Sequence, residues 1–241
     1  MLANKTILDL KQKCKEKLID ITEVYKIYKL GESELSVLSN INLAIYEGDF
    51  VIILGPSGSG KSTLLNIVGC LDNPSKGIVK LKGNDITKLS ESTLARLRGR
   101  TIGFIFQEYN LIPSLNAIEN VMLPLEFQNI NKSEARLEAQ RVLCLVDLKD
   151  RLYHLPRELS GGQQQRIAIA RALAGNPEII LADEPTGNLD SRNGAFIMDF
   201  LKDLNNKGKT IIMVTHDLNL VKYGSKIIQI IDGKIIKIEN K

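Results

Sequence analysis

No run of eighteen consecutive apolar residues occurs anywhere in this 241-residue chain, so nothing in it is long enough to span a bilayer. The N-terminus also lacks the apolar h-region and small-residue cleavage site of a secretory signal. Cysteine is scarce: Cys14, Cys70 and Cys144 lie far apart, form no C-x-x-C pair and leave one over, which argues against a disulfide framework or a zinc site. A reducing cytoplasm is therefore the expected compartment, and any membrane role must come through a partner. Cys70 and Cys144 fall in apolar helical patterns and are expected to be small core residues. A net charge of only +4, with lysines spread rather than gathered in one stripe, gives no case for nucleic acid. Internal repeats and low-complexity runs are missing too. With 44% apolar and 25% charged residues, the chain reads as one large α/β domain with a smaller inserted or appended lobe.

Residues 1–18 form a basic N-terminal extension. Lys5, Lys11, Lys13, Lys15 and Lys17 alternate with Ile7, Leu10, Cys14 and Leu18 at roughly helical spacing. That pattern suits either a solvated extension or a short amphipathic arm against an anionic membrane surface. Strand-like runs follow at 19–25 and 43–46, then the continuous apolar run Phe50–Leu54, as a parallel strand buried on both faces requires. Further strands are expected at 78–81 and 101–106, with a helix over 90–97 between them. Residues 116–146 turn helical, most clearly over 132–146. Strands at 179–182, 210–214 and 226–231 then alternate with helices. Two α/β halves around a helical insertion is the plan.

The densest chemical signal is Gly55-Pro56-Ser57-Gly58-Ser59-Gly60-Lys61-Ser62, set between the strand at 50–54 and a helix beginning near Thr63. Glycines at both ends let the backbone fold into a nest of N–H groups, and the helix N-terminus adds its positive dipole end. Lys61 would reach the β- and γ-phosphates of a nucleoside triphosphate, and Ser62 would ligate Mg²⁺.

A second signal is the apolar strand 179–182 ending in Asp183-Glu184, which delivers carboxylates to the carboxyl edge of the sheet, where α/β ligands bind. Asp183 would hold the Mg²⁺. Adjacent strand residues point to opposite faces, so only one acid can face the metal and Glu184 is the candidate for the attacking water. A third signal is Leu159-Ser160-Gly161-Gly162-Gln163, which opens a strong helix over 164–174 that Ser160 can cap. It makes a second phosphate-seeking helix terminus in one chain.

Taken together, the loop 55–62, Gln107, the segment 159–163, Asp183-Glu184, Asn188-Leu189-Asp190 and His216 resemble, in order, the ATP-binding cassette family. The resemblance covers about residues 19–235. It implies a P-loop NTPase core of RecA-like α/β fold, with an antiparallel β subdomain and an inserted α-helical subdomain at about 108–165, the cassette occupying 19–241. It also implies a homodimer in the ATP state, in which Ser160, Gly161, Gly162 and Gln163 of one copy close on the nucleotide held by the other copy's loop.

Carried over residue by residue, Glu184, His216 and Gln107 are the catalytic candidates, and Ser62, Gln107 and Asp183 the metal candidates. Gly55, Pro56, Ser57, Gly58, Ser59, Gly60, Lys61, Ser62 and Thr63 bind the phosphates. Tyr28 looks like the aromatic that stacks on adenine, with Tyr25 its nearby competitor, and Asp190 belongs to the loop coupling the two sites. His154 is read as packing or surface. Segments 65–72, 110–113 and 182–191 are similar to the branch of lipoprotein-releasing, macrolide-exporting and cell-division cassettes. This implies a separate integral membrane permease with few transmembrane helices and a large extracytoplasmic domain. ATP and Mg²⁺ are the implied cofactors, and the inner face of the cell membrane, reached through the permease, the implied location. The implied function is ATP-driven export or lipid or lipoprotein extraction. The alternative is a cassette that transmits force through its membrane partner to regulate an envelope enzyme without transport. Phe106, Tyr109, Leu111, Ile112 and Leu115 are candidates for the permease-facing surface.

Overall fold

A computed structural model describes residues 16–31 and 33–241. The basic arm expected over 1–18, Cys14 included, lies outside the described residues except for its end, where Lys17 and Leu18 already open strand β1 (Lys17–Leu30).

The site is positioned by a six-stranded sheet of order β10-β9-β3-β8-β7-β6. Its centre is β3 (Phe50–Leu54), buried at all five positions because β8 (Thr210–Thr215) and β9 (Lys226–Ile231) flank it in parallel. Next to β8 lie β7 (Ile179–Asp183) and then β6 (Ile102–Ile105), also parallel. The other edge is closed by β10 (Lys234–Asn240), antiparallel to β9. Parallel strands bring their carboxyl ends to one edge, so the residues after β3, β6, β7 and β8 meet there.

Pleating divides the core in two. Phe50, Ile52 and Leu54 face one cluster with Ile180, Ala182, Ile211 and Met213. Helices α3 (Ala117–Phe127), α4 (Lys132–Leu145), α5 (Gly161–Ala174) and α6 (Ser191–Asn206) pack on that side. Val51 and Ile53 face the other cluster, which holds α1 (Lys61–Val68) and the inner face of a second sheet, β2-β1-β4-β5. That sheet is antiparallel, made of β1, β2 (Ser33–Tyr46), β4 (Lys76–Leu81) and the short β5 (Asn84–Asp85). Helix α2 (Glu91–Thr101) leads into β6.

The expected strands are present, but β1 and β2 run much further than 19–25 and 43–46. The first half of β2 is largely solvent-exposed, and its adjacent Val37 and Leu38 break the alternation there. β10 carries no expectation for the same reason, because it is an exposed edge. One core assignment is corrected. Cys70 is buried, but Cys144 is exposed. The inward stripe of α4 is Ala135, Ala139, Val142 and Leu143, and Cys144 stands one residue, about 100°, beyond it.

Between β6 and α3 the chain is irregular, and a single buried side chain organises it. Asn120 Oδ1 accepts from Ile112 N (2.8 Å), while Nδ2 donates to the carbonyls of Ile112 (3.1 Å), Leu115 (2.8 Å) and Asn116 (3.1 Å). Asn116 caps α3 in a reciprocal box with Glu119. Asn120→Ala strands those backbone groups, and we expect it to lower urea-unfolding stability by about 2–4 kcal/mol, more than an ordinary exposed polar truncation. A loss within about 0.5 kcal/mol would show that the segment holds itself together.

Candidate functional site

The loop after β3 wraps the start of α1 tightly. A Cβ at Gly55 would stand 2.2 Å from the Ile230 carbonyl and 2.6 Å from Ser59 Oγ, so no larger residue fits. Gly60, the N-cap of α1, has φ +95° and sits 2.8 Å from the Val37 carbonyl by the same measure. Lys61 is almost fully buried and its Nζ donates to the Pro56 carbonyl at 2.8 Å, folded over the loop it belongs to. Ser59 Oγ is buried with no hydrogen-bond partner. A glycine cradle, a buried ammonium and an orphaned hydroxyl fit a polyanionic phosphate chain, which supplies acceptors for every one of these donors.

Ser62 Oγ donates to Asp183 Oδ1 at 3.2 Å. These two hard oxygens suit Mg²⁺, which takes few protein ligands and keeps several waters. Burial pushes the Asp183 carboxyl above its ordinary value, the Ser62 hydrogen bond pulls it down, Glu184 raises it and Lys61 lowers it, the net being upward. The acid at the head of the site is thus held at an energetic cost that a cation would offset.

Glu184 departs from simple strand alternation. Its φ is +44°, a left-handed conformation that ends β7, while its N–H donates to the Val214 carbonyl at 3.0 Å. Alternation alone sent Asp183 and Glu184 to opposite faces; the turn at Glu184 is what decides its direction instead. Glu184 Oε1 lies 2.9 Å from His216 Nδ1, so a ring protonated on Nδ1 donates to the carboxylate. Gln107 Nε2 and Glu184 Oε2 both lie beside Gly187, 3.2 and 3.4 Å from where a Cβ there would stand. Asn188 Nδ2 donates to the Gln107 carbonyl at 3.0 Å, tying the ends of β6 and β7 together.

Loop 55–63, Gln107, Asp183, Glu184 and His216 therefore gather at one sheet edge. Ser160 and Gln163 do something different: Ser160 Oγ accepts from Gln163 N (3.4 Å) and Ser160 N donates to Gln163 Oε1 (3.0 Å), so they cap α5 for each other. α5 starts at Gly161, three residues before the expected 164, because the cap includes both glycines. Asp190 caps α6, accepting from the Asn193 backbone (2.9 Å) and side-chain amide (2.7 Å). These hydrogen bonds to Asn193 hold its carboxyl below the ordinary value. Tyr28 is partly exposed and its hydroxyl donates to Asp72 Oδ2 at 2.8 Å. His154 contacts Arg151 at 2.9 Å, away from these groups in sequence and partner. Among the apolar surface candidates, Phe106 stacks on Phe104 and Leu111 packs on the core, while Ile112 is exposed.

Sequence reasoning passed over several supporting residues. Gln165 is fully buried in α5 and donates to the Pro185 carbonyl at 2.8 Å, fixing the turn just after Glu184. Arg171 on the same helix donates to the carbonyls of Tyr109 (2.7 Å) and Asn110 (2.5 Å), just after Gln107. Asn193 sits against Gly162 as well as Asp190. The available signal was Arg171 inside the apolar run Ile167–Ala174, too weak alone to name a partner, while Gln165 in a polar run and Asn193 in α6 gave none.

The sequence profile described as ABC transporter matches residues 38–187 of this chain. The chain belongs to the ABC transporter family. The ABC transporter ATP-binding protein MJ1508 of Methanocaldococcus jannaschii is 56% identical over 224 residues, spanning 93% of this chain and 100% of the relative. The macrolide export ATP-binding/permease protein MacB of a Shewanella species is 48% identical over 93% of this chain, but only 35% of MacB takes part. Among solved structures, the ATP-binding cassette MJ0796 from M. jannaschii, dimeric and bound to ADP and Pi in a post-hydrolysis state, has a TM-score of 0.87 at 49% identity. That match covers 92% of this chain and 98% of the other. The fold is accordingly that of a P-loop NTPase of the ABC family, and the protein is an ABC-family ATPase. Among the described residues no helix is long and apolar enough to cross a membrane.

The raised Asp183 carboxyl has a thermodynamic sign. A carboxyl whose folded value exceeds its unfolded one contributes stability below the unfolded value and loses it as pH rises through the folded value, so at neutral pH it is a net cost. Asp183→Asn keeps an acceptor for Ser62 without the charge. Without nucleotide or divalent cation, this variant should melt above wild type at pH 7, the gap closing as the pH is lowered toward 4. A lower melting midpoint at pH 7 would mean that the carboxylate stabilises the fold.

Proposed function

We propose that this ABC ATPase closes head to tail on a second copy when Mg²⁺ and ATP are bound, and thereby drives a separate membrane permease. The single observation that carries the ATP-hydrolysing part of the reading is the pair of contacts on one sheet edge, Ser62 to Asp183 at 3.2 Å and Glu184 to His216 at 2.9 Å. One makes a cation seat and the other a base held in place.

When bound, Mg²⁺-ATP supplies the electrophilic γ-phosphoryl group and the cation that neutralises its charge. The chain's own residues do the rest. Lys61 exchanges the Pro56 carbonyl for phosphate oxygens, and the 55–63 backbone orients them. Ser62 and Asp183 hold the cation. His216 fixes Glu184 through Oε1, which leaves Oε2 to take a proton from the attacking water beside Gln107. Gln107 thus serves both as a metal-side and a water-side group. Tyr28 stacks on the adenine ring. Ser160 and Gln163, which cap the start of α5 for each other, act with Gly161 and Gly162 at the other copy's nucleotide, where a helix N-terminus favours an anion. Asp190, bonded to Asn193 against Gly162, joins that surface to the catalytic edge.

The family match and the dimeric state of MJ0796 support closure between two copies. The joining of ATP-binding and permease functions in MacB supports a permease partner, here on a separate chain. Export is the work that MacB is named for, and we extend it to extraction of lipid or lipoprotein through a partner with few transmembrane helices and a large extracytoplasmic domain. The ATPase then sits peripherally on the inner face of the membrane. In domain terms, 19–241 is the cassette, 1–18 its basic extension and 108–165 the helical subdomain that transmits closure.

Two substitutions test the reading. Glu184→Gln should lower ATP turnover at least about 100-fold yet trap an ATP-bound dimer by size-exclusion chromatography. Normal turnover, or a monomer at saturating ATP, contradicts it. Lys61→Ala should weaken ATP binding in a calorimetric titration by at least about tenfold, and unchanged binding would remove the loop from the site.

A further inference from the structure

Tyr28 does not stand alone at the end of β1. Its hydroxyl donates to Asp72 Oδ2 at 2.8 Å, and the other oxygen of that carboxylate accepts from Lys26 Nζ at 2.5 Å. Lys26 is nearly buried, donates also to the Asn73 carbonyl at 2.8 Å, and lies 4.8 Å from the centroid of the Tyr28 ring. Asp72 is fixed in turn by the Asn73 N–H at 2.7 Å. It ends the Gly69–Asp72 turn, where the N–H groups of both Leu71 and Asp72 donate to the Asn66 carbonyl of α1. The strand is pinned to this loop a second time, by Ser75 N to the Tyr25 carbonyl at 2.8 Å and Ile27 N to Ser75 Oγ at 2.9 Å.

The consequence is geometric. A tyrosine ring on an exposed strand end has two free torsions, and stacking on a base requires one particular ring plane. Here the hydroxyl is tethered at the far end of the ring and an ammonium covers one face. Only the other face is left for a flat ligand. Because the tether runs through α1, the helix that begins with Lys61, the ring is placed relative to the phosphate cradle and not merely to its own strand. Burial and the Asp72 carboxylate raise the Tyr28 hydroxyl above its ordinary value, a hydrogen bond with Thr63 of α1 opposing them only in part, so it stays a donor to Asp72 throughout the physiological range. Burial pulls Asp72 upward, but the hydrogen bonds from Lys26 and Tyr28 and the ammonium charge outweigh it, so the carboxylate stays ionised.

We propose that Asp72, with Lys26 behind it, is a positioning residue for nucleotide binding: it fixes the plane of the Tyr28 ring against which the base stacks. This rests on the assignment of Tyr28 to adenine. No role in the chemical step is involved, and the neighbouring Tyr25, whose carbonyl is bound by Ser75, has no such tether to α1 through its hydroxyl among the described hydrogen bonds.

The test is calorimetric titration of the full chain with ADP, which is not turned over, and separately with inorganic tripolyphosphate, which has no base. Tyr28→Phe keeps the ring and all contacts of Asp72 with Lys26 while removing the hydroxyl, and with it the tether to Asp72 and the side-chain hydrogen bond with Thr63. Asp72→Ala removes the tether and the ammonium's partner. Each should weaken ADP about threefold to tenfold, leave tripolyphosphate unchanged, and combine in the double variant to no more than the larger single effect. Equal weakening of both ligands by Asp72→Ala would place Asp72 in support of the phosphate loop and overturn the inference. So would ADP binding at wild-type strength in Tyr28→Phe, which decides the matter even if Asp72→Ala fails to fold. Tyr28→Ala separates the two levels. If it leaves ADP affinity intact, the assignment of Tyr28 itself fails; if it weakens ADP while Tyr28→Phe does not, the ring stacks without being positioned by Asp72.

Discussion

The catalytic edge of this molecule depends on the fixed register of three adjacent parallel strands, β3, β8 and β7. Leu54 pairs with Thr215, and Asp183 with Val214, so the last residues of all three strands stand within about one residue of each other along the sheet. A slip by one position would send each strand's apolar set to the wrong core, because the pleat assigns Phe50, Ile52 and Leu54 to one cluster and Val51 and Ile53 to the other. Both faces of β3 are fully buried, so there is no solvent side to absorb an error. The strictness of the core thereby becomes the precision of the site: the loop after β3, the acids after β7 and the histidine after β8 inherit their spacing from a ladder that cannot shift.

A second level of organisation runs through α5. Its N-terminus carries Ser160 and the two glycines, its second turn sends Gln165 to the carbonyl after Glu184, and its last turn sends Arg171 to the carbonyls after Gln107. One rigid rod therefore touches the acid turn, the glutamine segment and the exposed cap. Arg171 is buried enough that desolvation lowers its ordinary value, and its bonds are to backbone oxygens rather than to a carboxylate. Removing such a cation from water is offset only if those carbonyls stay in place. The segment 109–116 is consequently held from two sides, by Arg171 on one and Asn120 on the other. A displacement of α5 would pass to both ends of the catalytic edge without any separate linkage.

Much of this was legible from residues alone because the chemistry is concentrated in short, ordered runs. Gly55–Ser62, Asp183-Glu184 and His216 each follow a strand whose apolar run is unmistakable, and the structure brings the three together. What was not legible falls into two physical kinds. Edge elements such as β10 and the start of β2 are exposed on too many positions for alternation to register. Contacts that depend on a backbone turn are invisible to periodicity: strand alternation separated Asp183 from Glu184, and only the left-handed φ of Glu184 shows why its carboxylate reaches His216. Asn193, Gln165 and Asp72 belong to this second kind, since each is an ordinary polar residue until its partner in another element is known.

The electrostatics of the edge follow from what is not joined there. Lys61 is buried, Asp183 is partly so, and the ammonium lowers the Asp183 carboxyl, yet among the described residues they form no ion pair. Lys61 turns to the Pro56 carbonyl and Asp183 to the Ser62 hydroxyl, so each charge is satisfied by a neutral dipole. Had the two closed on each other, every binding event would first have to break a partly buried salt bridge, a loss of several kcal/mol by the usual scale of such pairs. A neutral partner is given up far more cheaply, at about 1 kcal/mol for an ordinary hydrogen bond. The loop achieves this by geometry: with left-handed turns at Gly58 and Gly60, the Pro56 carbonyl lies 2.8 Å from Nζ and gives the ammonium a neutral partner. Charges of opposite sign are thus kept apart at one sheet edge, and a ligand that is itself an anion joined to a cation is the kind of molecule that satisfies both at once.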